Sequence, residues 1–255
     1  YVDALGMVKE VVVPATHLAR ALAEGITLDG DAPAGEVLND RAAIRLVPDP
    51  TTFALASWQC EAPSAARLIC DVLTMEGNPW PCSSRGALIR VIRKAAAMGF
   101  AYQVAVELEF FLLPIGMTGP LTLKRLGDES GYLDITLGAA AWIRQEFLAA
   151  LADLGIQVES GHHEVSRGQH ELDLAFTDAL SAADNVVTAR RILKEIALRR
   201  GMYATFMPKP VEGCDGSGMH IQQILVDAHS GENAFDRCRR SNKPIASECQ
   251  PCSRV

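Results

Sequence analysis

Along Val104-Ala105-Val106-Glu107-Leu108-Glu109-Phe110-Phe111-Leu112, every even-numbered position is apolar, which is the period of a strand with one buried face. The run predicts a strand with Val104, Val106, Leu108, Phe110 and Leu112 on one side and Glu107 and Glu109 together on the other. A second alternation closes the segment from 159 to 176, at Glu171-Leu172-Asp173-Leu174-Ala175-Phe176. Helical spacing marks residues 15–24, 86–98, 137–154 and 178–200. The third of these carries Ala141, Ile143, Phe147, Leu148 and Leu151 on one face, and the fourth has Asp178 as N-cap and Gly201 as C-cap. Both long helices read as packing elements that cover a sheet. Shorter β-type runs at 8–14 and 43–48 flank the first helix.

This pattern predicts an α+β protein in three parts. Residues 1–76 form a small β-rich region, residues 77–235 a larger region of antiparallel sheet and helices, and residues 236–255 a tail. Pro79, Pro81 and the serines before Arg85 make a linker between the first two. The tail turns to Arg, Ser, Cys and Pro with hardly any apolar periodicity, and is expected to be disordered.

Composition narrows the classes. With 255 residues, 49% of them apolar, the chain can bury a sizeable core in one or two domains. A formal net charge of -7 argues against a general nucleic-acid binder, which needs a basic surface. No secretory core and no apolar run long enough to cross a bilayer stands in the sequence, so a cytoplasmic protein with no membrane partner is expected. Seven cysteines at irregular spacing read as reduced thiols. Cys249-x-x-Cys252, even with Cys238 and His229 nearby, supplies only one of the two short pairs that a closed zinc site normally uses. There is no Walker lysine loop and no dinucleotide Gly-x-Gly-x-x-Gly.

The candidate chemistry lies in carboxylates. Glu107 and Glu109 sit one strand repeat apart, about 7 Å, and two ionised carboxylates that close repel unless a cation neutralises them. Oxygen ligands of this kind suit magnesium or manganese. Taken alone, the strand fits an open solvated face better than a metal site. A second segment, Glu159-Ser160-Gly161-His162-His163-Glu164 through Gly168-Gln169-His170-Glu171, is too polar for a core. A third, Asp215-Gly216-Ser217-Gly218-Met219-His220, offers small residues where backbone could approach a ligand, then a histidine that by itself would be ordinary.

Taken in order, four motifs make the chain resemble the glutamine synthetase family, of type I-like pattern: Glu107-Leu-Glu109-Phe-Phe, His162-His163-Glu164-Val with Gly168-Gln169-His170-Glu171, Ala204-Thr-Phe-Met-Pro-Lys-Pro210, and Gly216-Ser-Gly-Met-His220. Looser similarity extends upstream through Asp3-Ala-Leu-Gly-Met-Val-Lys and Val47-Pro48-Asp49-Pro50, so the resemblance covers about residues 1–226. It implies a β-grasp domain over 1–76, lacking its first strand, and a partial catalytic domain over 77–235. It also implies ATP-dependent joining of ammonia to the glutamate γ-carboxylate through a γ-glutamyl phosphate, in a homo-oligomer. Carried over by position, Glu109, Glu164 and Glu171 match the ligands of one Mg2+ or Mn2+ ion, and Glu107 and His220 two of three ligands of another. Glu159 and Phe176 match nucleotide contacts, Asp215 and Gly216 glutamate contacts, and Asp29 the acid that helps deprotonate ammonium in a neighbouring subunit's site.

The departures from the family pattern leave alternatives open. The turn after Asp29 reads Gly30-Asp31-Ala32-Pro33 where a serine-rich turn is usual, Gln222 replaces a histidine, Ile224 a serine, and Asp215 an asparagine. These fit a γ-glutamyl ligase acting on a polyamine or monoamine, a degraded site, or neutral drift. The family pattern is expected to hold to Phe235. The tail that follows is read as a shifted reading frame or a broken gene, which would omit one metal ligand and the arginines that hold glutamate and phosphate. A non-catalytic fragment is therefore a further reading, and the chain is expected to be impaired in the family's reaction.

Overall fold

A computed structural model describes residues 1–28, 43–56, 58, 65–116 and 128–236. Asp29 with its altered turn, Cys60, Cys238, Cys249, Cys252 and the tail beyond Asp236 lie outside the described residues.

The alternating run around Glu107 forms the longest strand, β6 (Phe100–Pro114). It is the spine of a five-stranded sheet in which β6 pairs β8 (Gln169–Asp178) along one edge, and β8 pairs β7 (Val158–His163). The other edge of β6 is shared. Its first half pairs β10 (Met219–Asp227), from Phe100↔Asp227 to Leu108↔Met219, and its end pairs β9 (Met202–Thr205), from Phe111↔Thr205 to Pro114↔Met202. All these pairs are antiparallel. Glu109 thus falls in the gap between the two edge strands.

The apolar face of this sheet carries Val104, Val106, Leu108, Phe110, Leu112, Leu172, Leu174 and Ala204 into the main core. Against it pack α3 (Gly138–Asp153), through Ile143, Phe147, Ala150 and Leu151, and α4 (Ala179–Arg199), through Ala189, Ile192, Leu193 and Ile196. Asp178 caps α4 as its sequence predicts, accepting from Leu180 N at 3.1 Å and Ser181 N at 2.9 Å. A further helix, α2 (Ser84–Ala97), starts where the Ser83 hydroxyl accepts from Gly86 N at 3.0 Å, so the expected linker ends in a cap.

The N-terminal region holds β1 (Ile26–Leu28), β2 (Ile44–Pro48) and β5 (Cys70–Thr74) in a three-stranded antiparallel sheet, with α1 (Leu18–Glu24) against β2. A two-stranded ribbon joins β3 (Ala54–Leu55) and β4 (Ala66–Arg67). Ile44, Leu46 and Val72 are the small core there, with Trp80 of the linker segment laid against it. The apolar run at 8–14 pairs with no strand among the described residues beyond a bridge from Val8 to Val2. Val12 is 87% exposed, so β propensity without a partner leaves the segment merely extended.

Arg85 connects this region to the larger one. Its guanidinium reaches Asp49 at 2.9 Å, Asp184 on α4 at 3.0 Å, and Asp71 on β5. Trp58 adds a hydrogen bond from its indole N–H to Glu195 Oε2 at 2.7 Å. Cys70, Cys82 and Cys214 carry free thiols, and among the described residues no helix is long and apolar enough to cross a membrane.

Candidate metal and phosphoryl-transfer site

Pairing register gathers the polar side chains. Glu109 stands opposite Glu171, Glu107 opposite Asp173, His162 opposite Glu171, and His220 opposite Glu107. Directly paired residues share a face, so three separated segments put their carboxylates and imidazoles on the side of the sheet that α3 and α4 leave uncovered.

Two groupings result, and Glu171 belongs to both. Ligand atoms of Glu107, Glu171 and His220 lie within 4.8 Å of one another, and so do those of His162, Glu164 and Glu171. His220 Nδ1 is 2.9 Å from Glu107 Oε2, while His162 Nε2 is 3.0 Å from Glu164 Oε1 and 3.9 Å from Glu171 Oε2. Gln222 donates its amide to the other oxygen of Glu107.

Crowding perturbs the carboxyls. Burial, then the neighbouring Glu164 and Asp173, push Glu171 up to about 8. Burial also works against ionised Glu164, but hydrogen bonds from Glu171, the Val165 amide and His162 outweigh it and hold that carboxyl below its ordinary range. The two carboxyls are thus pushed in opposite directions, Glu171 toward keeping its proton beside ionised Glu164. A divalent cation would do the same job without protonation, and this oxygen-rich set with one or two imidazoles fits Mg2+ or Mn2+.

Glu109 is held differently. Its Oε2 accepts from Gln169 Nε2 at 3.0 Å and from the Gly218 amide at 3.1 Å, and Gln169 also donates to the Gly216 carbonyl at 2.9 Å. A Cβ on Gly216 would meet the Pro208 carbonyl oxygen at 2.4 Å, so only glycine lets this loop fold down onto the end of β6. A sequence profile of the glutamine synthetase catalytic domain matches residues 81–249. The chain belongs to the glutamine synthetase family. It is 39% identical over 236 residues to a glutamine synthetase of Methanosarcina mazei, covering 92% of this chain and 52% of that protein. A Halobacterium salinarum glutamine synthetase is 40% identical over 237 residues with the same coverage. The chain therefore spans about half the length of the curated relatives it matches. Among solved structures, ligand-free GmaS superposes with a TM-score of 0.79 at 29% identity, over 92% of this chain and 55% of that one. A Plasmodium falciparum glutamine synthetase shares the fold at a TM-score of 0.74 and 23% identity, over 85% of this chain and 47% of that one.

Within this member of the glutamine synthetase family, the sequence-predicted residues are unequally assembled. Glu107, Glu164, Glu171 and His220 converge, and Glu109 lies beside them but turned toward Gln169 and Gly218. Glu159 is exposed at the register shift between Val158 and Ser160, and Phe176, 42% exposed, lies beyond Leu174 at the same open end of the β7–β8 hairpin. Asp215 is exposed, and its amide donates to Ser166 Oγ at 2.9 Å. Sequence reasoning missed Gln169, Asp173 and His162 as site residues. Gln169 and Asp173 stand at the same alternating positions of β8 as Glu171, which is the signal that could have flagged them.

Proposed function

We propose that this chain carries the metal-bearing face of an ATP-dependent ligase that joins ammonia to the glutamate γ-carboxylate through γ-glutamyl phosphate. The observation that carries this reading is geometric: Glu171 offers a carboxylate oxygen to both groupings, with Glu107 and His220 and with His162 and Glu164, the ligand atoms of each lying within 4.8 Å of one another. Glu107, Glu109, Glu164, Glu171 and His220 would hold two Mg2+ or Mn2+ ions. When bound, such ions neutralise charge spreading over a transferring phosphoryl group.

The chain's own residues supply positioning. Gln169 ties Glu109 to the Gly216 loop, so a glutamate held against Asp215 and Gly216 would be placed relative to the carboxylates. Glu159 and Phe176 flank the open end of the hairpin, where ATP would enter, in keeping with the ADP held by a GmaS structure of the same fold. Asp29 would take a proton from ammonium across a subunit boundary in a homo-oligomer, with the N-terminal region as its β-grasp domain and the cytoplasm as its compartment. Gln222 favours a second reading: its amide on Glu107 stands where the family pattern has an imidazole, which suits a γ-glutamyl ligase acting on a polyamine or monoamine.

The test is phosphate release by this chain with Mn2+, ATP and glutamate, using ammonium and a panel of amines. Release with ammonium supports glutamine synthesis, and release only with a larger amine supports the second reading. No release with any amine would leave a non-catalytic, metal-binding fragment.

A further inference from the structure

A second cluster of possible ligands lies on the opposite, core-facing side of the same sheet. His163 and His170 are 0% and 2% exposed and meet edge to face with ring centroids 4.8 Å apart. His170 stacks on Phe110 at 5.7 Å, and among the described residues neither of its ring nitrogens has a hydrogen-bond partner. A buried imidazole without a partner is unfavourable, and a ligand at His170 would relieve it.

The neighbours of His170 have metal-site chemistry. His163 Nδ1 lies 2.6 Å from the Glu164 carbonyl oxygen, which can only accept, so this nitrogen carries the hydrogen. The other ring nitrogen, Nε2, is turned toward Asp128 Oδ2 at 2.9 Å. Asp128 is itself oriented by backbone donors, Ser130 N to Oδ1 at 3.0 Å and Gly168 N to Oδ2 at 3.2 Å. An imidazole whose other N–H is held by a carbonyl, beside an oriented carboxylate, is the arrangement that supports a bound transition metal. Ligand atoms of Asp128, His163 and His170 lie within 4.8 Å of one another.

We propose that Asp128, His163 and His170 form a transition-metal site, of the open kind that takes Zn2+ through three protein ligands with water as the fourth, separate from the carboxylate face. Two imidazoles and one carboxylate suit zinc better than magnesium. The ion would fasten the segment around Asp128, already joined to β7 by Leu133 N to His163 O at 3.0 Å, onto the turn that carries Glu164. Arg144 on α3 adds an opposing positive charge near His170, with its Nη1 on Thr136 Oγ1 at 2.9 Å, so binding will be weaker than at a thiolate site.

The test uses a triple variant, Glu107→Gln, Glu164→Gln and Glu171→Gln, which removes the three carboxylates of the two groupings on the other face. After exposure to Zn2+ and gel filtration, metal analysis is expected to find one Zn2+ per chain, Co2+ to give an imidazole-type visible band, and Zn2+ to raise the melting temperature. Adding Asp128→Asn or His170→Phe should each lower the affinity about tenfold or more. Asn keeps the acceptor oxygen for the backbone donors, and circular dichroism verifies the fold of every variant. A folded triple variant that retains no Zn2+, or retention unchanged by both added substitutions, overturns the proposal.

Discussion

Glu171 concentrates the energetics of the site in one side chain. Its folded pKa is raised to about 8 from an ordinary 4.5, so between those values the metal-free folded chain binds a proton that the unfolded chain has released. Stability must then fall as pH rises through that window, and divalent cation affinity must rise as the proton leaves. Glu171→Gln is expected to flatten the fall, measured as melting temperature against pH in chelator. Gln169 acts one step out, on Glu109. We expect Gln169→Ala to weaken Mn2+ binding about tenfold, and Glu164→Ala to weaken it more, while Glu159→Ala, exposed at the hairpin's open end, leaves it nearly unchanged. Calorimetric titration of the three variants separates these outcomes.

At the scale of elements, α4 shows how local sequence and packing divide the labour. Asp178 sets its start through two backbone donors, and Asp178→Ala should cost about 1 kcal/mol in urea denaturation. Ile192 and Ile196, both 0% exposed, set which face meets the sheet. Strand β6 is the other decisive element. Alternation in its sequence predicts the faces correctly from Val104 to Phe110, because the apolar positions enter the core and Glu107 and Glu109 point away from it, while Phe111 and Leu113 on the carboxylate side are buried with Val211. What alternation does not encode is the split edge, with β10 on one half and β9 on the other, which opens the gap that Glu109 occupies.

For the whole molecule, the joint between the N-terminal sheet and the larger region rests on Arg85. Its side chain is 12% exposed and faces three aspartates, and burial raises Asp184 above the usual carboxylate range even with Arg85 beside it. Removing the guanidinium strands that buried acid. Arg85→Met is therefore expected to destabilise the chain by about 3 kcal/mol, whereas Asp71→Asn, at a more exposed partner, should cost much less. Urea denaturation of both variants checks the contrast.

Sequence by itself determined the strand and helix periods, the polar face of β6 and the motifs that mark the glutamine synthetase family, because side-chain period and local spacing are written in adjacent residues. Tertiary structure alone decided that Glu171 serves two ligand groupings, that Glu109 turns to Gln169, that Arg85 is a hub, and that His163 and His170 face the core behind the site. These depend on which residue lies opposite which across paired strands and packed helices, and pairing between residues as far apart in sequence as Phe111 and Gln169, or Phe100 and Asp227, is set by register and burial rather than by either segment's own pattern.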